Sequence, residues 1–522
     1  MCGFTGMVGA AAAWRPDAEL LRAMGDTIAH RGPDDGQVVV GPGGGVAFRR
    51  LSIIDLEGGR QPFVFEDGRL IAVANGEIYN FRELRAWCEE RGAVFRTESD
   101  CEVVPHLYRI AGPDFAERLV GMYAFCVLDL TGERPKLTLG RDRLGIKPMF
   151  YAEREGGVVF GSEPKALLAS GQLARELRPE GLLEYLMQGY VGGEDAAWSG
   201  MRRLPPGSTL HFEGGGPVRI RRYWDAPLEP RDEPLRDGEL LEWLDRVVGD
   251  RLVADVPLGA FLSGGVDSTA VVDSMARMGD DPVIACSVGF TERTHDELDI
   301  ARETAGRLGA VHHTEVLEPD PASAFEVLPW LFDEPHADPS DLPTWLVSRM
   351  AREHVTVALS GDGGDETFAG YRRYAHDLAE NRLRDRIGPL GRGAAPRGVS
   401  AVDFWNDTYT KRFRAYQLLA CTVLDQGLLS CVSDRLQRKA STDPSATPTS
   451  LLDLLKWHLV EEPVRQARAT GVTGTKEELL LQHYHLKEAR DRHKKLRVAA
   501  QTKRDSLAKT VHQLSSLHLS GM

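Results

Sequence analysis

Apolar positions along the chain follow two rhythms. Over roughly the first 190 residues they come in short alternating or continuous runs split by glycine and proline: Gly45 to Ile54, Leu70 to Ala74, Ala124 to Asp129, Lys136 to Gly140 and Gly157 to Phe160. These spacings predict strands, while Ala18 to Met24 and Asn80 to Arg91 carry helical spacing, so an α+β layered domain is expected. Beyond about residue 240 the rhythm changes. Apolar runs at Gly259–Leu262, Pro282–Phe290, His312–Leu317 and Val355–Leu359 alternate with helical text at Leu240–Asp255, Thr269–Ala276 and Asp299–Leu308. Strands alternating with helices predict an α/β doubly wound parallel sheet, whose ligands lie beyond the carboxyl ends of the strands.

The text between these regions is rich in turn formers, Leu204-Pro-Pro-Gly and then Tyr223 to Pro234. It reads as a closing hairpin and a linker over 196–240, separating a first domain (1–195) from a second (241–436). Residues 439–450 form another Ser/Thr/Pro-rich linker, and 451–520 reads as a helical tail with a basic stretch at His493 to Arg497. A tail of amphipathic helices with a solvated basic face and a partner-binding helix both fit that text.

Composition narrows the functions. At 522 residues the chain is long for one core, and its net charge of −14 argues against a general nucleic-acid or membrane-surface binder. Without a long apolar run or a signal peptide, a cytoplasmic protein is the default expectation. The seven cysteines are scattered and never in a CxxC pair, so a disulfide framework or zinc site is not expected.

Two glycine turns carry candidate chemistry. Ser263-Gly264-Gly265-Val-Asp267-Ser268 leads from a strand into a helix, gathering backbone N–H groups, hydroxyls and a helix N-terminus suited to pyrophosphate. Asp267 would repel phosphate unless Mg²⁺ stood between them. The second turn, Ser360-Gly361-Asp362-Gly-Gly-Asp365-Glu366, adds carboxylates for such an ion. A solvated acidic turn is the bland alternative. The adjacent His312 and His313 point to opposite faces of a strand and read as ordinary histidines rather than metal ligands.

At the other end, Cys2 becomes the terminal residue if Met1 is removed, joining a thiol and an α-amino base in one residue. Arg50, the acids Glu77 and Asp100, and the Asn75 amide with the Gly76 N–H could bind a free amino acid: a cation for its carboxylate, acids for its ammonium, and donors at the reacting carbonyl.

Cys2-Gly-Phe-Thr-Gly6, His30-Arg-Gly-Pro-Asp34, Arg50 to Asp55, Asn75-Gly-Glu-Ile-Tyr-Asn80, Arg141 to Pro148 and Phe160-Gly-Ser-Glu-Pro-Lys-Ala166 together resemble the class II, N-terminal-nucleophile glutaminase domain of the glutamine-hydrolysing asparagine synthetases. Residues 258–374 resemble the ATP-pyrophosphatase domain of the same family, in the two glycine turns, Ser287 to Phe290, Asp296-Glu297, Asp333-Glu-Pro335 and Gly370 to Arg373. That resemblance implies that Cys2 attacks the glutamine amide, Asn75 and Gly76 form the oxyanion hole, and Arg50, Glu77 and Asp100 hold the amino acid. It implies further that Ser263, Gly264, Gly265, Ser268, Val288, Ser360 and Gly361 contact ATP and that Asp267 and Asp365 bind Mg²⁺. Asp362, standing where the family often has glutamate, takes a catalytic role. Aspartate is the implied acceptor and a homodimer the implied assembly. The family's later Lys-x-Asp-Arg-x-Ser and Arg-x-Pro patterns are not legible beyond about residue 436. Two other readings stay open: amidation of another carboxylate in a secondary-metabolite or surface-polymer pathway, and a glutaminase-bearing scaffold without synthetase activity.

Overall fold

The computed structural model describes residues 2–10, 14, 16–227, 235–290, 297–317, 321–371, 374 and 378. Two compact units divide the chain at residues 420 and 421, and the second lies outside the described residues. So do the predicted tail, its basic stretch, the 439–450 linker, Asp296, Arg372 and Arg373.

The first strand, β1 (Gly3–Gly9), is followed by α1 (Ala18–Asp26), β2 (Asp35–Gly41), β3 (Gly44–Arg50), β4 (Phe63–Phe65) and β5 (Leu70–Ile78). Next come α2 (Phe81–Glu89), α3 (Val103–Ala111), β6 (Gly121–Asp129), β7 (Lys136–Arg141), β8 (Phe150–Arg154) and β9 (Gly157–Gly161). The half closes with α4 (Pro164–Ala169), α5 (Pro179–Gln188), β10 (Arg202–Arg203), β11 (Ser208–Glu213) and β12 (Arg219–Arg222). Two six-stranded sheets result, in the orders β10-β8-β9-β1-β3-β2 and β12-β11-β7-β6-β5-β4.

Side-chain alternation explains why the sheets stack. In β1 and β3, Phe4, Val8, Val46 and Phe48 point inward to meet Ile71 and Val73 of β5 and Cys126 and Leu128 of β6. The intervening positions face outward. Met7 and Ala47 pack on Leu21 and Met24 of α1, and Ala72, Ala74 and Val127 on Leu84 of α2 and Leu107 of α3. The four layers therefore run α-β-β-α. Each buried Phe contributes about 1.5–3 kcal/mol through removal from water. The predicted hairpin is present as β11 paired antiparallel with β12, and it extends the second sheet rather than standing apart from it.

In the second half, α6 (Glu239–Gly249) precedes β13 (Leu258–Phe261), α7 (Val266–Met278), β14 (Ile284–Phe290) and α8 (Leu298–Leu308). After these come β15 (Val311–Leu317), α9 (Pro321–Phe332), α10 (Asp341–Ala351), β16 (Val357–Leu359) and α11 (Gly364–Phe368). Helix α6 is shorter than the helical spacing of 240–255 predicts. Residues 250–255 instead form a connection whose Asp255 N–H donates to the Ile53 carbonyl.

The strands of this half are parallel, in the order β15-β14-β13-β16. Ala260, Leu262 and Ala285 face Val272 of α7 and Ala301 of α8, whereas Phe261, Ile284, Cys286 and Val288 face Val347 and Met350 of α10. Helices cover both faces, as the doubly wound reading requires, and the order reverses between β13 and β16. Both glycine turns leave the strands at that switch point. Among the described residues, no helix is long and apolar enough to cross a membrane.

Candidate active sites

Cys2 enters β1 half-buried against the inter-sheet core. Its Sγ lies 3.3 Å from the Leu51 N–H, which donates to it, and 3.4 Å from the Leu51 carbonyl. Burial pushes the thiol above its ordinary pKa and Asp100 pushes the same way, while the Leu51 N–H and Arg50 oppose them. Burial therefore favours the thiol over the thiolate, and a base would have to take its proton for the sulfur to act as a nucleophile. Arg31 fixes the neighbouring backbone by donating from Nε to the Cys2 carbonyl at 3.0 Å.

Strand β5 brings Asn75 onto the same face as Ile71 and Val73, because side chains repeat every second residue. Asn75 is fully buried, and neither atom of its amide has a hydrogen-bond partner among the described residues. Leaving such a group unpaired costs about 1–3 kcal/mol, which makes it a candidate for pairing with a ligand. Gly76 has φ +148°, and a Cβ there would lie 1.9 Å from the Met122 carbonyl oxygen, so the sharp passage after Asn75 admits no side chain.

The acids follow directly. Burial, reinforced by Asp100, raises Glu77 to about 7, against the opposing influence of Lys147 and Arg251. Asp100 is also raised by burial, although the Ile78 N–H donates to it at 2.8 Å. It stands at the start of a 3₁₀ turn capped by Ser99, which leads into α3. Arg50 is buried and spends donors on the carbonyls of Leu56, Ile54 and Asp55 at 2.9, 3.2 and 2.6 Å. A guanidinium has five N–H groups, so its Nε–H and one Nη1–H have no partner among the described residues and could meet a ligand. It shapes the 51–59 loop as well as offering charge.

Residues that the sequence reading did not assign complete this surround. Lys147 is buried, and desolvation lowers its pKa while Glu77 opposes that shift. Arg251 stacks over the Tyr79 ring at 4.4 Å. The Leu51 amide at the sulfur could not be foreseen because backbone donors leave no mark on residue type. Lys147 did leave one, as a lysine between Ile146 and Pro148 in otherwise turn-forming text.

In the second half, Gly264 adopts φ +81°, and a Cβ there would press on Ile300 and the Ala301 nitrogen of α8 at 2.8 and 2.9 Å. Ser263 and Ser268 close the turn, with their hydroxyls 3.0 Å apart and the Gly265 N–H donating to Ser263 Oγ at 3.2 Å. The facing turn fits closely against it: a Cβ on Gly361 would lie 2.7 Å from the Ser268 nitrogen, and one on Gly364 only 2.4 Å from Asp267 Cγ. The Asp267 carboxyl is thus seated beside the residue preceding Asp365.

Ser360 donates to Asp362, which is exposed, and Tyr371 donates to Glu366, so those two acids are held within their own segment. Val288 lies on the α10 face of β14. His312 pairs with Ser287 at 2.7 Å and His313 stacks on His354, so they share no ligand.

No group of three or more His, Cys, Asp or Glu poised for a metal occurs among the described residues. The two turns offer Asp267 and Asp365, without an ion-pair partner among the described residues. That donor set fits Mg²⁺, which is commonly held by one or two carboxylates with waters and substrate phosphates.

The family model of the glutamine amidotransferase domain matches residues 1–224, and that of asparagine synthase matches residues 239–513, past the last motif legible by eye. A Bacillus subtilis protein named asparagine synthetase [glutamine-hydrolyzing] 1 is 36% identical over 384 residues, covering 73% of this chain and 60% of that protein. A putative asparagine synthetase of Mycobacterium bovis is 36% identical over 404 residues (73% of this chain, 62% of that protein), and one of Methanocaldococcus jannaschii is 33% identical over 416 residues (74% and 78%). The chain spans about 60% of the length of the first two relatives. The solved glutamine phosphoribosylpyrophosphate amidotransferase of B. subtilis overlaps 62% of this chain and 70% of its own at 14% identity, with a TM-score of 0.32. With both family models matched in order along one chain, this protein belongs to the asparagine synthase family.

Proposed function

We propose that the chain is a glutamine-dependent amidotransferase of the asparagine-synthetase type. The observation that carries the glutaminase half is the buried, unpartnered Asn75 amide on the strand that faces β1, next to Gly76. A base takes the Cys2 proton and the sulfur adds to the side-chain carbonyl of glutamine. Asn75 and the Gly76 N–H then receive the negative charge that develops on oxygen. The C–N bond breaks and ammonia leaves; water later cleaves the thioester, releasing glutamate and restoring Cys2. Glu77 and Asp100 hold the α-ammonium, and the remaining Arg50 donors hold the α-carboxylate.

At the sheet switch point, Ser263, Gly264, Gly265, Ser268, Ser360 and Gly361 line the phosphate side of an ATP site, with Val288 toward the nucleoside and Asp362 in a catalytic position. Mg²⁺ held by Asp267 and Asp365 would screen the charge of the phosphate oxygens. The acceptor carboxylate displaces pyrophosphate from ATP, and ammonia then displaces AMP to give the amide. Aspartate is the acceptor this reading favours, in a cytoplasmic enzyme that pairs as a homodimer.

Supply of glutamine, ATP, Mg²⁺ and aspartate should yield asparagine, AMP, pyrophosphate and glutamate. Cys2→Ala should abolish the glutamine-dependent reaction and spare the ammonia-dependent one. Glutamate release without AMP for any carboxylate would sink the synthetase half of the proposal.

A further inference from the structure

A line of charges connects the Cys2 backbone to the second half of the chain. Arg31, whose Nε holds the Cys2 carbonyl, donates from Nη1 to Glu163 Oε1 at 2.7 Å. His30 Nε2 lies 3.1 Å from the same oxygen. The other carboxylate oxygen of Glu163 accepts from Lys165 Nζ at 2.5 Å, and that ammonium also reaches Asp333 Oδ2 at 3.1 Å. Glu163 is buried, yet His30, Arg31 and Lys165 together hold it at about 2, well below the usual carboxylate range.

Asp333 is an unusual end point. It sits directly after α9 with φ +60°, a left-handed conformation that costs a non-glycine residue roughly 1 kcal/mol or more unless its surroundings enforce it. The donors that enforce it come from the first half of the chain: Lys165 N–H and Nζ to its carboxylate, and Trp198 Nε1 to its carbonyl at 2.9 Å. Glu334 continues the stitch, accepting from the Ala197 N–H and pairing with Arg203. Lys165 also lies 4.8 Å from the Trp330 ring, which contacts His30 in turn. Among the described residues, Lys165 alone makes ionic contact with both Glu163 and Asp333.

We propose that Lys165 is a positioning residue that couples the two reactions, holding the Asp333-Glu334 turn in register with the Arg31-supported backbone of Cys2 so that ammonia released in one half is used in the other. The inference rests on the function proposed above. Lys165 touches neither Cys2 nor the glycine turns, so its loss leaves each partial reaction intact and damages their connection.

The test follows amide formed per glutamate released from glutamine labelled at its amide nitrogen, alongside pyrophosphate release with ammonium chloride, in the full chain. Lys165→Met should lower the amide-to-glutamate ratio at least about fivefold while ammonia-dependent pyrophosphate release stays within about twofold of the parent, and Lys165→Arg should restore the ratio. Asp333→Asn keeps the acceptor for the Lys165 N–H and removes only the charge, so it repeats the test from the other side should Lys165→Met not fold. An unchanged ratio in these variants, or a parallel fall in the ammonia-dependent reaction that arginine does not rescue, overturns the proposal. A parent protein that forms no amide from either nitrogen source overturns the functional reading itself.

Discussion

Replacing Asn75 by leucine separates the cost of a prepared site from its catalytic return. The side chain is fully buried with both amide atoms unpaired among the described residues, and leucine keeps its branched skeleton, so the change removes polarity without opening a cavity while adding the bulk of two methyl groups. An unpaired buried polar group costs about 1–3 kcal/mol, and an oxyanion donor contributes about 2.7–4 kcal/mol to the transition state. Asn75→Leu should therefore keep unfolding stability within about 2 kcal/mol of the parent, relief of the unpaired amide offsetting the added bulk, while kcat for glutamine hydrolysis falls about 10²–10³-fold. KM should move little, because the interaction forms as charge develops. Urea unfolding followed by fluorescence and initial rates of glutamate release measure the two quantities. A variant destabilised by more than about 3 kcal/mol, beyond what the added bulk costs, would mean that the amide is satisfied in the resting protein, and a rate kept within about threefold would remove it from the oxyanion site.

Glu77, at about 7, should be ionised by rising pH and so bind the glutamine ammonium better. KM for glutamine is expected to fall between about pH 6 and pH 8, and Glu77→Gln should flatten that dependence. The stability sign is opposite: a carboxyl raised in the folded state favours folding while protonated, and that advantage is lost as pH climbs from about 4.5 to about 7. Glu77→Gln should accordingly gain stability over the parent above neutrality, as thermal melts across pH would show. In the second half, Gly361→Ala places a Cβ 2.7 Å from the Ser268 nitrogen and 3.0 Å from Asp267 Cβ. It should abolish ATP-dependent pyrophosphate release and leave glutamate release intact, and equal loss of both would count against two separable sites.

Strands with ordinary chemistry were legible because alternation survives in them: β5, β6 and β7 lie where their apolar residues place them. Strand β1 was not, since Gly3, Gly6 and Gly9 give it neither β-propensity nor alternation. Its glycines answer to packing. A Cβ on Gly6 would meet the Phe160 ring and the Gly45 carbonyl at 2.5 Å each, a conflict that only the folded sheet reveals. Arg50 shows the same limit at the site. Its identity announces a cation, but three bonds to the carbonyls of its own loop are a matter of backbone path. Asp333 and Lys165, 168 residues apart, could not be paired from text at all.

The strand order of the second half also has a temporal meaning. Gly259 of β13 finds Ile284 on one side early in synthesis, but Ala358, its neighbour on the other side, emerges far later. Contacts of such long range are slow to close, and a chain made from its N-terminus folds the earlier sequence first. The first half can thus be complete while the Ser263–Ser268 turn still lacks the Gly361–Gly364 segment that presses against Asp267. On the proposed function, a nascent or truncated chain would be able to hydrolyse glutamine with nowhere to send the ammonia, which would make arrival of β16 the point at which this polypeptide becomes economical with nitrogen.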